Sequence, residues 1–160
     1  MVNPIEIVLD VNIYADVVGA EAVFPEIMEV PPRSGNDSAD VLSVIFDSER
    51  YQLYLSPHIV RNLQTIFVEK GVAPALIEKY LNFIVELVLE TDGAVVEPPR
   101  TVFDLKDHED NFILDLVKAV DAKILVTRDN ELIAESPWNG RLIMHPSDFV
   151  KRHIKSSNNW

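Results

Sequence analysis

The chain has 160 residues, with 14 lysines and arginines against 26 aspartates and glutamates, so its formal net charge at pH 7 is −12. This length predicts one compact domain, and the acid excess argues against nucleic-acid binding through a broad basic face. Because the chain has no cysteine, disulfides and thiolate metal sites are excluded.

The N-terminal residues predict neither export nor membrane insertion. They lack the basic segment and the long apolar segment of a signal peptide. The longest helix-like apolar segment, Leu81 to Leu89, is interrupted by Glu86 and is about half as long as a membrane span. We therefore expect a cytoplasmic protein that does not bind a membrane.

The first 36 residues predict a strand, a short helix and a long connection. Ile5 to Leu9 is a short β-branched segment of the kind that is buried on both faces of a parallel sheet. A helix from Asn12 to Val18 follows. The connection from Gly19 to Asn36 contains prolines and glycines that break any regular pattern. In a compact domain a connection of this length is often functional.

The rest of the chain predicts helices that alternate with strands. We expect strands at Gln52 to Leu55, Ala94 to Val96, Lys123 to Val126 and Arg141 to Met144. Between the first strand of the chain and Ala94 we expect a helix capped by Asp37 or Ser38, a helix from Pro57 to about Lys70 and a helix from Pro74. After Val96 we expect a helix from Asp107, a helix at Asn130 to Glu135 and a helix from Pro146 to about Ile154. This order is typical of βαβ units and predicts an α/β fold with helices on both faces of a mostly parallel sheet of about five strands. We place this single domain at residues 1–155 and a short tail at 156–160.

Acidic residues follow two of the predicted strands. Asp10 comes directly after the first strand, and Asp129 follows the strand that ends at Val126. In an open parallel sheet both positions face the crevice outside the carboxyl ends of the strands, where ligands bind. Three further acids lie in the first turn of the helix that precedes this second strand: Asp107, Glu109 and Asp110.

Acids at this edge of the sheet predict a metal site. Carboxylates that lie close together repel one another unless a cation lies between them. Oxygen ligands without histidine or cysteine suit Mg²⁺ or Mn²⁺ rather than zinc, and such a metal favours phosphodiester hydrolysis. Structural explanations remain open, because the helix dipole favours acids in a first turn and because Asp129 can cap the next helix.

Four stretches of the chain resemble the PIN-domain family. They are IVLDVNIYADVV, LYLSPHIVRNL, DHEDNFILDLVKAVDAKILVTRDNELI and LIMHPSDFV, and they follow the family's order over nearly the whole chain. The resemblance is greatest to VapC-type toxins of toxin–antitoxin pairs and their relatives. It implies a three-layer PIN fold, a metal-dependent ribonuclease site with RNA as substrate, a cognate antitoxin and a homodimer. The connection from Gly19 to Asn36 is expanded relative to the family.

The resemblance also implies roles for individual residues. Asp10, Asp110 and Asp129 match three of the family's acids, and they would hold Mg²⁺ or Mn²⁺ and carry catalysis. Six other residues match accessory positions or lie beside these acids: Asn12, Asp107, Glu109, Asn111, Thr127 and Glu131. Arg128 is the candidate for an RNA phosphate contact, because a guanidinium binds phosphate bidentately.

Asn62 departs from the family's pattern. It aligns with the second acid, and an amide supplies no negative charge, although its carbonyl can coordinate a metal or orient water. Glu109 or Glu131 would compensate for this loss. The alternative hypothesis is a degenerate PIN domain that binds RNA or protein without cutting. A phosphatase with Asp10 as nucleophile is less favoured, because the haloacid-dehalogenase pattern has an aspartate where this chain has Asn12.

Overall fold

The computed structural model describes residues 3–18 and 35–157, and within these ranges the protein has four strands and seven helices. The strands are β1 (Ile5–Leu9), β2 (Tyr51–Tyr54), β3 (Ile124–Val126) and β4 (Leu142–Met144). The helices are α1 (Val11–Val17), α2 (Asp37–Asp47), α3 (Pro57–Glu69), α4 (Pro74–Glu90), α5 (His108–Ala119), α6 (Asn130–Ile133) and α7 (Pro146–Ser157). The predicted α/β class is confirmed.

The four strands form one parallel sheet in the order β2-β1-β3-β4. Val8 in β1 pairs with Tyr54 on one side and with Leu125 on the other. Ile7, Val8 and Leu9 are all fully buried, and consecutive side chains of a strand point to opposite faces. Both faces of β1 are therefore covered, as the predicted layered fold requires.

The predicted strand at Ala94 to Val96 is reduced to a single bridge. Val95 pairs in parallel with Leu55, next to β2, through two backbone hydrogen bonds of 3.1 and 2.7 Å. Pro98 and Pro99 follow closely, and proline has no N–H with which to continue the pairing. The sheet of the described residues thus has four strands rather than about five.

Asn36 caps the beginning of α2. Its Oδ1 accepts the N–H groups of Ser38 at 3.0 Å and Ala39 at 3.1 Å. The cap therefore lies one residue before Asp37 and two before Ser38, the two predicted caps. Most of the predicted connection that leads to this cap, residues 19–34, lies outside the described residues.

The lengths of α4 and α7 bear on two predictions from the sequence, the absence of a membrane span and the end of the domain. The longest helix in the described ranges, α4, has 17 residues. No helix there has both the length and the apolar character needed to cross a bilayer. The last helix, α7, continues to Ser157, two residues past the predicted domain end at 155.

The strand order creates a crevice between β1 and β3. The chain passes from β1 to β2 on one side, whereas β3 pairs with the other side of β1. Ligands of parallel α/β sheets bind at such a point, outside the carboxyl ends of the strands. The N–H of Asp10 donates to the carbonyl of Val126 at 2.9 Å, so the first residue after β1 is held against the end of β3.

Candidate active site

A pocket of about 370 Å³ lies at this crevice. Its acidic lining comes from three parts of the chain: Asp10 after β1, Asp107, Glu109 and Asp110 around the start of α5, and Asp129 before α6. The helix α3 contributes the polar side chains of His58 and Asn62 but no acid. The structure therefore brings together the three predicted catalytic acids and two of the accessory ones.

Asp10 is oriented by hydrogen bonds to both carboxylate oxygens. Oδ1 accepts the N–H of Val11 at 2.8 Å, and Oδ2 accepts the hydroxyl of Thr127 at 2.8 Å. Burial raises the pKa of Asp10, the bonds from Thr127 and Val11 lower it, and the charges of Asp129 and Glu109 raise it further. The two hydrogen bonds therefore fix the orientation of the Asp10 carboxylate and stabilise its charged form against the effect of burial.

Asn12 and Thr127 connect the two strand ends. The Thr127 hydroxyl also accepts the N–H of Asp129 at 3.0 Å. Asn12 Oδ1 accepts the N–H of Arg128 at 3.2 Å, and its Nδ2 lies 3.4 Å from both Asp10 Oδ2 and Thr127 Oγ1. Both predicted accessory residues therefore hold the acids in place.

Asp110 is a buried acid whose pKa is raised into the neutral range. It is only 7 % exposed, and its pKa is raised to about 7. Burial is the largest cause, followed by the negative charges of Asp129 and Asp107. A hydrogen bond with Asp129 and the charge of Asp10 raise the pKa further. A divalent cation in the pocket would remove this repulsion and favour the charged form.

Asp110, Asp129 and Glu131 form the tightest acidic group of the site. Each offers one carboxylate oxygen, and these atoms lie within 4.8 Å of one another. An oxygen-only group with this spacing fits Mg²⁺ or Mn²⁺. Glu131, which the sequence places beside the site, thus joins two of the predicted ligands, Asp110 and Asp129, which line the pocket together with Asp10. Glu131 itself lines a neighbouring pocket that shares Asp107 and Asp110 with the first.

Glu109 reaches from α5 to α3. Its Oε2 accepts Asn62 Nδ2 at 3.1 Å and lies 2.8 Å from Nε2 of His58, which donates to it in the tautomer that carries a proton there. Asn62, which the resemblance in sequence aligns with an acid of the PIN pattern, therefore binds a glutamate from α5. The sequence gives no signal for His58, because its partner lies 51 residues away.

Asp107 and Asn111 fix the beginning of α5. Asp107 Oδ1 accepts the N–H of Glu109 at 2.8 Å and caps the helix. Asn111 is buried, its Oδ1 accepts the N–H of Leu105 at 3.0 Å, and its Nδ2 donates to the carbonyl of Leu105 at 2.9 Å. Asn111 therefore holds the loop before α5 and does not line the pocket.

Arg128 faces α1 and α2. Its Nε pairs with Asp16 Oδ2, and Nε and Nη2 donate to Ser38 Oγ at 3.2 and 3.0 Å. Arg128 is absent from the residues that line the acidic pocket. The predicted phosphate contact stays a prediction, and the observed contacts join helices.

The family profile described as PIN domain matches residues 6–131. The matched range covers most of the chain and contains every acid of the pocket. The chain belongs to the PIN domain family. PIN domains are generally nucleases that depend on a divalent metal. The acidic group of this site agrees with an activity of that kind. Among curated proteins, none matches this chain in sequence.

Proposed function

We propose that this PIN domain is an endoribonuclease that hydrolyses RNA phosphodiesters in the cytoplasm with Mg²⁺ or Mn²⁺. The observation that carries the proposal is the group of three carboxylates, Asp110, Asp129 and Glu131, whose oxygens lie within 4.8 Å of one another. Two members of the group, Asp110 and Asp129, line the pocket at the crevice between β1 and β3, the position at which parallel α/β sheets bind ligands.

The chain's own residues supply and orient the negative charge. Asp10, Asp110 and Asp129 would hold the metal and carry catalysis, with Glu131 as a further ligand. When bound, the metal polarises a phosphoryl oxygen and lowers the pKa of a coordinated water. A bound cation would favour the charged form of Asp110, because its positive charge would offset the burial and the neighbouring negative charges that raise the pKa of this acid.

Glu109 restores the charge that Asn62 does not supply. Asn62 and His58 hold its Oε2 at the α3 side of the pocket, and its charge already acts on Asp10, whose pKa it raises. We therefore assign Glu109 a positioning role for the metal and its water.

Cleavage of RNA in the presence of Mn²⁺ tests this function. We expect the wild-type protein to cut RNA, EDTA to stop the reaction, and Asp110→Ala to abolish it. Glu86→Ala is the matched control, because Glu86 is an exposed acid in the middle of α4. Identical cleavage by Asp110→Ala and wild type would refute the proposal.

A second candidate is a degenerate PIN domain that binds RNA or protein without cutting. The observation that favours it is the amide at position 62, since no residue of α3 that lines the pocket is acidic. This candidate predicts that Mn²⁺ and RNA bind to the wild-type protein while no RNA is cleaved. Cleavage that disappears in Asp110→Ala excludes it.

The family resemblance supports a further proposal, that the protein is the toxin of a toxin–antitoxin pair and acts as a homodimer. A net charge of −12 favours a partner segment that is basic. Expression in a bacterial host should arrest growth, and Asp110→Ala should not. Sedimentation of the purified protein tests the dimer.

A further inference from the structure

Arg100 packs on a residue that lines the acidic pocket, although it does not itself line that pocket. Its guanidinium carbon is 3.5 Å from the ring centroid of Phe112, and Phe112 lines the pocket. At this distance a guanidinium stacks on the face of an aromatic ring. His58 meets the same ring almost perpendicularly, with 4.8 Å between the ring centroids. The Phe112 ring therefore lies between Arg100 and His58, a residue of α3 that also lines the pocket.

Asp115 fixes the segment that carries Arg100. Asp115 lies one helical turn after Phe112 in α5, and its side chain is only 1 % exposed. Its Oδ1 accepts the N–H groups of Thr101 at 2.9 Å and Val102 at 2.7 Å. Its Oδ2 is buried without a hydrogen bond to the described residues and lies 4.0 Å from Arg100 Nε. The backbone after Arg100 and one side of the guanidinium are therefore both held by this acid.

The outer side of Arg100 is open. Its side chain is 62 % exposed, and its two terminal nitrogens have no hydrogen bond to the part of the chain that the structure describes. Arg128, by contrast, uses its guanidinium for Asp16 and Ser38. A guanidinium that is held on one side and open on the other is preorganised for a ligand that is both planar and anionic.

We propose that Arg100, stacked on Phe112, binds single-stranded RNA at the entrance to the pocket. The outer face of its guanidinium stacks on a nucleobase, and its terminal nitrogens donate to an adjacent phosphate. Unpaired bases offer such a face, whereas the bases of a duplex stack on their neighbours. This inference rests on the proposed function, since it requires RNA to approach the pocket.

The charge of the protein is consistent with a contact of this kind. At a net charge of −12, long-range attraction of a polyanion is weak. Stacking does not depend on a broad basic face, and it contributes to single-strand binding whatever the base. One fixed arginine beside an aromatic ring therefore suits an acidic nuclease better than scattered surface lysines.

Fluorescence anisotropy with a labelled single-stranded RNA of about ten nucleotides tests the proposal. The measurement uses the Asp110→Asn background with saturating Mn²⁺, so that the RNA stays intact. Arg100→Gln should weaken binding about tenfold, and Arg100→Lys should weaken it several-fold, because lysine keeps the charge but has no plane to stack. Lys118→Gln is the control: it removes one exposed positive charge about 13 Å along α5 from Glu109.

Three results would overturn the proposal: unchanged affinity in Arg100→Gln, full affinity in Arg100→Lys, or equal affinity for a duplex of the same sequence. Thermal unfolding of each variant establishes that it is folded. If the wild-type protein does not cut RNA while Arg100→Gln still weakens binding, the nuclease proposal fails and the RNA contact stands. If the wild-type protein cuts RNA and Arg100→Gln binds as the parent does, only the contact fails.

Discussion

The hydroxyl of Thr127 donates to Asp10 Oδ2 at 2.8 Å and accepts the N–H of Asp129 at 3.0 Å. Thr127 is fully buried, and the two acids follow different strands. Thr127 therefore links the acid after β1 to the acid after β3, and its hydroxyl lowers the pKa of Asp10 against the effect of burial.

Thr127→Val tests this link, because valine keeps the shape of threonine and removes the hydroxyl. The Asp129 N–H loses its side-chain partner and Asp10 Oδ2 loses its shortest hydrogen bond, so we expect the free energy of unfolding to fall by about 1–3 kcal/mol. Mn²⁺ affinity should fall about tenfold, the lower end of the effect of removing a group that orients a ligand. Urea denaturation and calorimetry measure the two effects. Thr127→Ser, which keeps the hydroxyl, should retain most of both; equal losses in the two variants would contradict the assignment.

Asp110 makes the stability of the metal-free protein depend on pH. The pKa of an unperturbed aspartate, as in the unfolded chain, is 3.8, and that of Asp110 in the folded protein is about 7. Between these two pH values the folded state keeps a proton that the unfolded chain has released. The free energy of unfolding therefore falls as pH rises through this window, and the loss is complete above about pH 7. In EDTA, we expect urea to unfold the protein more easily at about pH 8 than at about pH 5.

Asp110→Asn is the control for this pH dependence. It should reduce the difference between the two pH values by on the order of 1 kcal/mol, a figure lowered for solvent screening. Part of the difference should remain, because the pKa of Asp10 is raised as well. Added Mn²⁺ should stabilise the wild-type protein at the higher pH more than it stabilises the variant. The same pH dependence in both proteins would show that Asp110 is not the group involved.

Moving the carboxylate from position 109 to position 62 tests which residue makes the α3 side of the pocket acidic. Glu109→Gln should weaken Mn²⁺ binding about tenfold, because it removes the one charge that Asn62 and His58 hold there. The double variant Asn62→Glu with Glu109→Gln should recover most of this loss. Calorimetry measures affinity, and RNA cleavage is followed in parallel.

Asn62→Glu alone decides whether the native protein is impaired at this position. It places a second carboxylate where Asn62 now donates to Glu109 at 3.1 Å, so without metal the unfolding temperature should fall. If it raises both Mn²⁺ affinity and cleavage, the natural amide limits activity. If Glu109→Gln leaves Mn²⁺ affinity unchanged, the assignment of Glu109 fails.

The main acids could be located from sequence because they depend on local patterns. Asp10 and Asp129 follow short apolar segments, and the geometry of parallel sheets brings the ends of such segments to one edge. The PIN family was likewise predicted from motifs, and the match over residues 6–131 confirms it. The strand predicted at Ala94 to Val96 is confirmed only as a single bridge between Val95 and Leu55, because the prolines that follow cannot extend the pairing.

The contacts between distant helices could not be predicted in this way. Asn62 and Glu109 are 47 residues apart, and their hydrogen bond depends on how α3 and α5 pack. Arg128 and Ser38 are 90 residues apart. Sequence reasoning assigns an arginine near an acidic site to phosphate binding because its guanidinium suits phosphate, but other acceptors in the fold suit it equally well.

Arg128→Gln separates the structural role of this arginine from the predicted phosphate contact. Arg128 joins Asp16 in α1 to the buried Ser38 in α2, so its loss leaves polar groups without their partner. We expect the free energy of unfolding to fall by about 1–3 kcal/mol, and the affinity for single-stranded RNA in the Asp110→Asn background to stay unchanged. Arg61→Gln, at an exposed position of α3, should change neither quantity. Weaker RNA binding at unchanged stability would instead establish Arg128 as a phosphate ligand, because only a contact with the RNA itself separates the two measurements in that direction.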